Sequence, residues 1–147
     1  MLSRRAGFML LMVGAVALVV ASWMFFLHLW NDTYWNDERY CLVAIPSLEQ
    51  MNLSFESDDY FSVLVNATVY SIGADEKYIV VKQHPQGAGA KGVDRATTNF
   101  YIVERTESNE LEERQKKVRG PFQKEEFEKL AVTLSLPKFS KTFRELE

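Results

Sequence analysis

An uncharged apolar segment near the N-terminus constrains this chain more than any other feature. Ala6–Trp30 contains no Asp, Glu, Lys or Arg, and about 20 apolar residues in a helix suffice to cross the hydrocarbon core of a bilayer. Arg4 and Arg5 precede the segment and acidic residues follow it, so the preference of basic flanks for the cytoplasm predicts a cytoplasmic N-terminus. We therefore expect residues 1–35 to form a cytoplasmic stub, a transmembrane signal anchor and an interfacial aromatic segment. Residues 36–147 would then form an extracytoplasmic domain.

A cleaved signal peptide is the competing interpretation, with Val20-Ala21-Ser22 as a small-residue cleavage site. The apolar segment continues well beyond that site, whereas the apolar region of a signal peptide is only about 7–15 residues long. An uncleaved anchor is therefore favoured, and the lipid bilayer is an expected partner through residues 6–30. Aromatic rings near the end of a span favour the headgroup layer, which predicts four membrane-interface residues: Trp23, Trp30, Tyr34 and Trp35.

The composition of residues 36–147 limits the classes of function. Their length is that of one ordinary domain. With 15 basic and 19 acidic residues their net charge is near −4, which gives no electrostatic reason to expect nucleic acid. Cys41 is the only cysteine, so neither an internal disulfide nor a cysteine-rich zinc site can form. We expect a buried thiol, because Cys41 lies within the apolar run Tyr40–Ile45.

Patterns of apolar residues predict several strands. Tyr40–Ile45 is continuously apolar and reads as a short buried strand, whereas residues 47–60 have ambiguous spacing and read as irregular or as a helical turn. In Phe61–Tyr70 every odd position is apolar and the even positions are mostly polar, which predicts one half-buried strand with the odd positions facing inward. Turn residues then separate this strand from a β-rich run at Lys77–Gln83, which predicts a hairpin. Phe100–Val103 reads as a further strand.

Helical spacing dominates the C-terminal third. Residues 104–119 are strongly charged, with acid–base pairs at i,i+4 spacing such as Glu110/Arg114, which predicts an exposed hairpin extension or short helix, with Gln115–Arg119 as a possible edge strand. After Gly120-Pro121, apolar residues recur at helical spacing until Pro137. The predicted fold class is α+β: an N-terminal transmembrane helix, then a small antiparallel sheet of about four strands covered by a C-terminal helix at residues 125–136.

The sequence contains few of the residue combinations that enzymes use for catalysis. His28 and His84 are the only histidines, and His28 lies in the predicted membrane span. We therefore expect that one copy of the domain assembles neither a histidine-based triad nor a multi-histidine metal centre. Adjacent acids at Asp58-Asp59 and Glu125-Glu126 are typical of solvated surface charge. We therefore predict no cofactor, no metal site and no enzymatic activity, with a small hydrolase using paired carboxylates as an alternative.

Two charged segments are candidate binding sites. The loop from Gln86 to Asn99 and its root carry His84, Lys91 and Arg95, which can hold an anion or a partner's carboxylate; solvated loop charges are the competing interpretation. Downstream, the acids of the charged segment form a candidate surface for a basic protein partner, through electrostatic steering. Its residues are Glu107, Glu110, Glu112 and Glu113.

Two stretches carry a resemblance to a known group of domains. They are KYIVVKQHP at Lys77–Pro85 and GPFQKEEF at Gly120–Phe127, and they resemble small bacterial envelope domains of unknown function, which occur as lipoproteins or membrane-anchored proteins. The resemblance implies a bacterial inner membrane with the domain in the periplasm. Three Asn-x-Ser/Thr motifs would be glycan acceptors in a eukaryotic secretory protein, and we interpret them as chance matches.

Taken with the absence of a nucleophile–base motif, these features predict a single-pass, membrane-anchored periplasmic binding module with a protein partner in the envelope. An immunity protein or inhibitor that neutralises an envelope-acting toxin is the first alternative. The small membrane-tethered hydrolase described above is the second.

Overall fold

Nine strands and two α-helices form the part of the chain that the computed structural model describes, residues 33–58, 60–87 and 92–147. In chain order they are β1 (Thr33–Asp37), β2 (Tyr40–Val43), β3 (Asn52–Glu56), β4 (Phe61–Val65), β5 (Val69–Ala74), β6 (Tyr78–Gln83), β7 (Asn99–Glu104), α1 (Leu111–Lys116), β8 (Val118–Phe122), α2 (Lys124–Leu134) and β9 (Lys141–Thr142). None of the helices in these ranges is long and apolar enough to span a membrane. The predicted span at residues 6–30, with Trp23 and Trp30, lies outside them.

The strands form two antiparallel sheets that pack face to face. Sheet 1 has the order β1-β2-β3-β4 and sheet 2 the order β8-β7-β6-β5-β9. Because side chains alternate across a strand, each sheet directs one apolar row inward, and the two rows form one core. The central members of this core are Leu42, Leu53 and Phe55 from sheet 1 and Ile72, Ile79 and Val103 from sheet 2.

Sheet 2 is covered on its outer face as well, by α2. Ile79 and Val81 of β6 belong to the core between the sheets, whereas Tyr78 and Val80 belong to a second cluster that includes Phe127 of α2. Strands that are buried on both faces read as continuous apolar runs rather than alternating ones, which explains the sequence of β6 and β7. The described domain therefore has three layers: sheet 1, sheet 2 and helix α2.

The prediction of one sheet of about four strands was wrong, because the domain is mostly β with sheets of four and five strands. Residues 47–60 were expected to be irregular or a helical turn. A 3-10 turn at Leu48–Gln50 agrees with this, but Asn52–Glu56 form β3. Its buried apolar residues are Leu53 and Phe55. Two alternating apolar residues are too short a pattern to identify a strand from sequence.

The expected single strand at Phe61–Tyr70 is divided between the two sheets, as β4 and the start of β5. Phe61 and Val63 were predicted to face inward, but their side chains are 51% and 43% exposed. Val65 and Val69 are buried. The odd-numbered side chains therefore face solvent in the first part of residues 61–70 and the core in the second part. They do not share one buried face.

Other elements match the predictions. The hairpin is formed by β5 and β6, and the Asp75 carboxylate closes its turn by accepting the backbone N–H groups of Lys77 (2.8 Å) and Tyr78 (2.7 Å). Strand β7 and the C-terminal helix α2 are confirmed, as is the short helix in the charged segment, α1. The edge strand in that segment, β8, begins at Val118 and extends further than expected.

Candidate functional site

A cleft of about 420 Å³ opens beside the turn that joins β1 to β2. Its far wall is residues 105–110, which connect β7 to α1 and which we call the cleft segment. The lining mixes charges of both signs with aromatic and neutral polar groups: Glu38, Arg39, Tyr40, Phe55, Thr106, Glu107 and Asn109. A cleft of this composition can orient charged and hydrogen-bonding groups of a ligand.

The hydroxyl of Tyr40 attaches the cleft segment to sheet 1. It accepts the backbone N–H of Thr106 at 3.0 Å and donates to the carbonyl oxygen of the same residue at 3.4 Å. The Tyr40 ring is buried and packs edge-on against Phe55 with ring centroids 5.1 Å apart. An apolar ring that anchors a polar tip in this way fixes one wall of the cleft.

Arg39 spans the mouth of the cleft. Its Nη1 donates to the side-chain oxygen of Asn109 at 2.7 Å, and its Nη2 lies 3.4 Å from the Asp58 carboxylate. The side chains of Arg39 and Asp58 are 48% and 83% exposed. Exposed ion pairs of this kind contribute about 0–1 kcal/mol, so a ligand can replace Asp58 as the partner of Arg39 at little cost in free energy.

A second arginine, Arg105, holds the base of the cleft segment to the β1–β2 turn. Its guanidinium pairs with the carboxylates of Asp37 and, at 3.5 Å, Glu38. It also lies 5.4 Å from the centroid of the Tyr40 ring. Only 12% of the Arg105 side chain is exposed, so these contacts are less screened by solvent than those of Arg39.

Arg114 of α1 is the largest fully buried side chain in the described residues, with 1% of its surface exposed. Its guanidinium carbon lies 3.7 Å from the centroid of the Phe55 ring, a cation–π contact. Its Nε donates to the Ser108 carbonyl at 2.9 Å, Nη2 donates to the Asn109 carbonyl, and Nη1 is buried without a partner. Arg114 therefore supports the cleft segment from beneath.

The four predicted acidic residues are all exposed. Glu107 lines the cleft, whereas the other three lie at the start of α1 or just before it. Glu113 pairs with Lys116 at 2.8 Å, and this hydrogen bond, together with the ammonium charge, lowers the pKa of Glu113. The predicted pairing of Glu110 with Arg114 was wrong, because Arg114 turns inward.

His84 and Arg95 have separate environments. His84 is 3% exposed; its ring stacks on Tyr70 with centroids 4.2 Å apart, and Nδ1 lies 2.7 Å from the Thr97 carbonyl oxygen. Arg95 donates to the Glu145 carbonyl at 3.1 Å and lies 3.6 Å from the carboxylate of Glu49. The side chains of His84 and Arg95 therefore both contact other groups of the same domain. Lys91, the third residue of the predicted anion site, lies outside the described residues.

Tyr34 and Trp35, two of the predicted membrane-interface residues, belong to β1. Both are partly buried against the core between the sheets, and Tyr34 meets the Phe143 ring edge-on at 6.1 Å. They belong to the compact unit Thr33–Glu147.

The described residues contain one buried thiol and no cluster of metal-binding side chains. Cys41 is buried, as expected, and burial together with the negative charge of Glu56 raises the pKa of its thiol to about 11. At neutral pH it is therefore a poor nucleophile. The described residues contain no group of three or more His, Cys, Asp or Glu side chains that can hold a metal ion.

Sequence analysis selected Glu107 as part of an acidic surface, without indicating a cleft, and did not select Arg39, Tyr40 or Arg114. The first two face residues about 70 positions away in sequence, and a single sequence carries no signal for such contacts.

One family model matches most of the chain. It is described as "Protein of unknown function (DUF3997)" and covers residues 37–147. Comparison with curated proteins and with solved structures gave no match.

Proposed function

The chain belongs to this family of unknown function, and we propose that it is a protein-binding module held at a bacterial inner membrane by its N-terminal segment. The match covers more of the chain than the two motifs that carried the resemblance, and confirms the expectation of a domain of unknown function. The observation that carries the proposal is the cleft beside the β1–β2 turn. Its walls are fixed by buried side chains, while its charged groups are exposed.

The contrast between rigid support and loosely paired charges favours recognition. Tyr40 and Arg114 hold the cleft segment through buried contacts. Arg39 and Glu107 line the same cleft with side chains that solvent reaches. A preorganised surface loses little conformational entropy when a partner binds, and exposed charges of both signs provide orientation and specificity.

The proposed location rests on the N-terminal sequence. An uncharged segment of this length, preceded by Arg4 and Arg5, favours a single span with the domain on the far side of the membrane. In a bacterium this places residues 36–147 in the periplasm. Fusion of alkaline phosphatase after Glu147 should give an active enzyme. Fusion of green fluorescent protein at the same position should give no fluorescence, because the Sec route would export it with the domain. The reverse pair of results would contradict the proposed topology.

Binding at the cleft is tested by crosslinking in native membranes. A photoreactive phenylalanine analogue at Glu107 should capture a discrete partner. The matched control places the same analogue at Glu126, an exposed acid on α2. The proposal fails if both positions give the same adducts, because random encounters do not distinguish the two surfaces.

The same system tests the electrostatic contribution. With the analogue kept at Glu107, Glu110→Lys combined with Glu112→Lys should reduce the crosslinked product at least fivefold, whereas Glu125→Lys with Glu126→Lys makes the same change of charge on α2 and should leave it unchanged.

A further inference from the structure

Strand β4 forms an edge of sheet 1 beside the cleft. Its neighbour β3 pairs with it at Glu56 with Phe61, Phe55 with Ser62 and Ser54 with Val63, after which the register shifts and Leu53 pairs with Val65. Every second backbone N–H and C=O of an edge strand points away from the sheet and is free to pair with another strand. No backbone hydrogen bond from a turn or loop of the described chain ends on residues 61–65.

The other three edges are protected in ways that natural proteins commonly use. Strand β8 contains Arg119 and Pro121, and β9 has only two residues. Strand β1 contains the charged residue Asp37, and the Lys141 ammonium donates to the Tyr34 carbonyl. By contrast β4 reads Phe-Ser-Val-Leu-Val and carries no charge, proline or glycine. Among the edge strands that the structure describes, β4 is the one without a charged residue, proline or glycine, although its register with β3 shifts between Val63 and Val65.

Exposed apolar side chains accompany the open edge. Tyr60, Phe61 and Val63 are 51%, 51% and 43% exposed, and we call these three residues the β4 patch. Large apolar side chains that cluster on a surface are typical of interaction sites. Phe61 and Val63 lie two positions apart, so both point to the same side of the sheet and can contact alternate side chains of an added strand.

The charges around β4 indicate the chemistry of the added strand. Four nearby acids have no ion pair within the described residues: Glu56, Glu107, Glu110 and Glu112. Pairing β4 with β4 of a second copy would bring two sets of these carboxylates together, and β4 has no basic side chain to neutralise them. A basic strand is favoured instead, since opposite charges attract and like charges oppose association.

We propose that β4 binds an extended segment of a partner protein in which apolar residues alternate with Lys or Arg, and that this segment adds a fifth strand to sheet 1. Its apolar side chains contact Phe61 and Val63. Its basic side chains project to the opposite side, where α1 reaches the inner face of β4 and carries exposed acids. The inference rests on the proposed binding function and specifies the mode of recognition and the chemistry of the partner.

The test uses the full-length chain in a neutral detergent and three fluorescent peptides with blocked ends: KVKVKVK, EVEVEVE and KVKPKVK. The third keeps the charge of the first, but its central proline removes a backbone donor and disrupts the strand. Fluorescence anisotropy should show KVKVKVK binding at least tenfold more tightly than either of the others. Hydrogen exchange should slow at alternate amides of residues 61–65 when KVKVKVK is bound.

Two surface variants provide a matched pair. Val63→Lys places a positive charge in the β4 patch, and should weaken the binding of KVKVKVK at least tenfold. Val132→Lys makes the same change at an exposed valine of α2, and should change the affinity less than twofold. Both positions are exposed, so neither substitution disturbs the core.

Any of four results would overturn the inference. Equal binding of KVKVKVK and KVKPKVK, or protection confined to residues 104–116, would mean that the acids attract basic peptides without strand addition. Self-association that Val63→Lys abolishes would make a second copy the occupant. A lack of binding by KVKVKVK at low salt would exclude a basic strand. If crosslinking at Glu107 still captures a discrete partner in these cases, the proposed binding function stands while the inference about β4 fails.

Discussion

Replacement of Arg114 separates the role of buried volume from that of buried charge. The side chain is 1% exposed, lies on the Phe55 ring and donates to two backbone carbonyls of the cleft segment. Arg114→Ala removes all of these contacts and leaves a cavity. Arg114→Met also removes the hydrogen bonds, but it retains an unbranched chain against Phe55 and eliminates a buried charge whose Nη1 has no partner.

The expected magnitudes follow from these contacts. A hydrogen bond from a charged donor contributes about 1.5–3 kcal/mol, a desolvated cation–π contact about 2 kcal/mol, and the cost of burying the charge offsets part of both. We expect Arg114→Ala to lower the free energy of unfolding by about 3–5 kcal/mol and Arg114→Met by about 1–2 kcal/mol. At about 4 °C per kcal/mol for a domain of this length, the fall in Tm is about 12–20 °C for alanine.

Urea unfolding followed by near-ultraviolet circular dichroism measures the difference in the full-length chain in detergent. Lys116→Ala in the same helix is the control, because the Lys116 side chain is 66% exposed, and it should change the free energy of unfolding by less than about 0.5 kcal/mol. The reasoning is refuted if Arg114→Ala matches this control. It is equally refuted if Arg114→Met is more destabilising than Arg114→Ala, since a retained apolar chain would then have no value.

Three further changes test the core and the buried thiol. Phe127→Ala should cost about 3–5 kcal/mol in chemical unfolding, because it empties the cluster beneath α2; the exposed Val132→Ala should cost less than about 0.5 kcal/mol, and equal losses would contradict the layer arrangement. Gly73→Ala should destabilise by more than about 1 kcal/mol in the same assay, since an added Cβ would collide with the Lys138 carbonyl oxygen; unchanged stability would exclude that close approach. Burial raises the pKa of Cys41 from 9.0 to about 11, so the stability contributed by the neutral thiol is complete below pH 9 and is lost as pH rises towards 11. Unfolding at pH 8 and pH 10.5 should show this loss in the wild type beyond that in Cys41→Ala, and an identical fall in both would refute it.

The elements that could be predicted from sequence are those whose burial is uniform. Strands β6 and β7 are covered on both faces, so their apolar runs are continuous and unambiguous. Helix α2 packs one face only and shows helical spacing between a proline before it and a proline after it. In these segments local pattern and tertiary environment agree, which is the condition under which sequence reasoning succeeds.

The second sheet escaped prediction because the alternation in residues 61–70 continues while the environment changes. Phe61 and Val63 face solvent, whereas Val65 and Val69 face the core. An exposed apolar side chain is common on protein surfaces, so the pattern alone could not show that the inward face had changed. Phe61 and Val63, whose exposure made the fold prediction wrong in this segment, belong to the β4 patch.

The cleft was largely beyond sequence reasoning for a related cause. Arg114 has the i,i+4 spacing of a surface ion pair with Glu110, yet it is buried beneath the cleft segment. Its position depends on Phe55, which lies in a strand far away in sequence. Charge spacing on a short helix therefore predicts which residues can meet on an exposed face, but it does not show which face the fold will cover.

The cleft segment has no regular secondary structure, and its shape depends on side chains from three other parts of the fold. Tyr40 holds Thr106, Arg39 holds Asn109, and Arg114 holds the carbonyls that follow Glu107. The same buried arginine contacts Phe55, whose strand β3 pairs directly with β4. Under our proposal, a strand added to β4 would therefore lie next to the side chains that support the cleft.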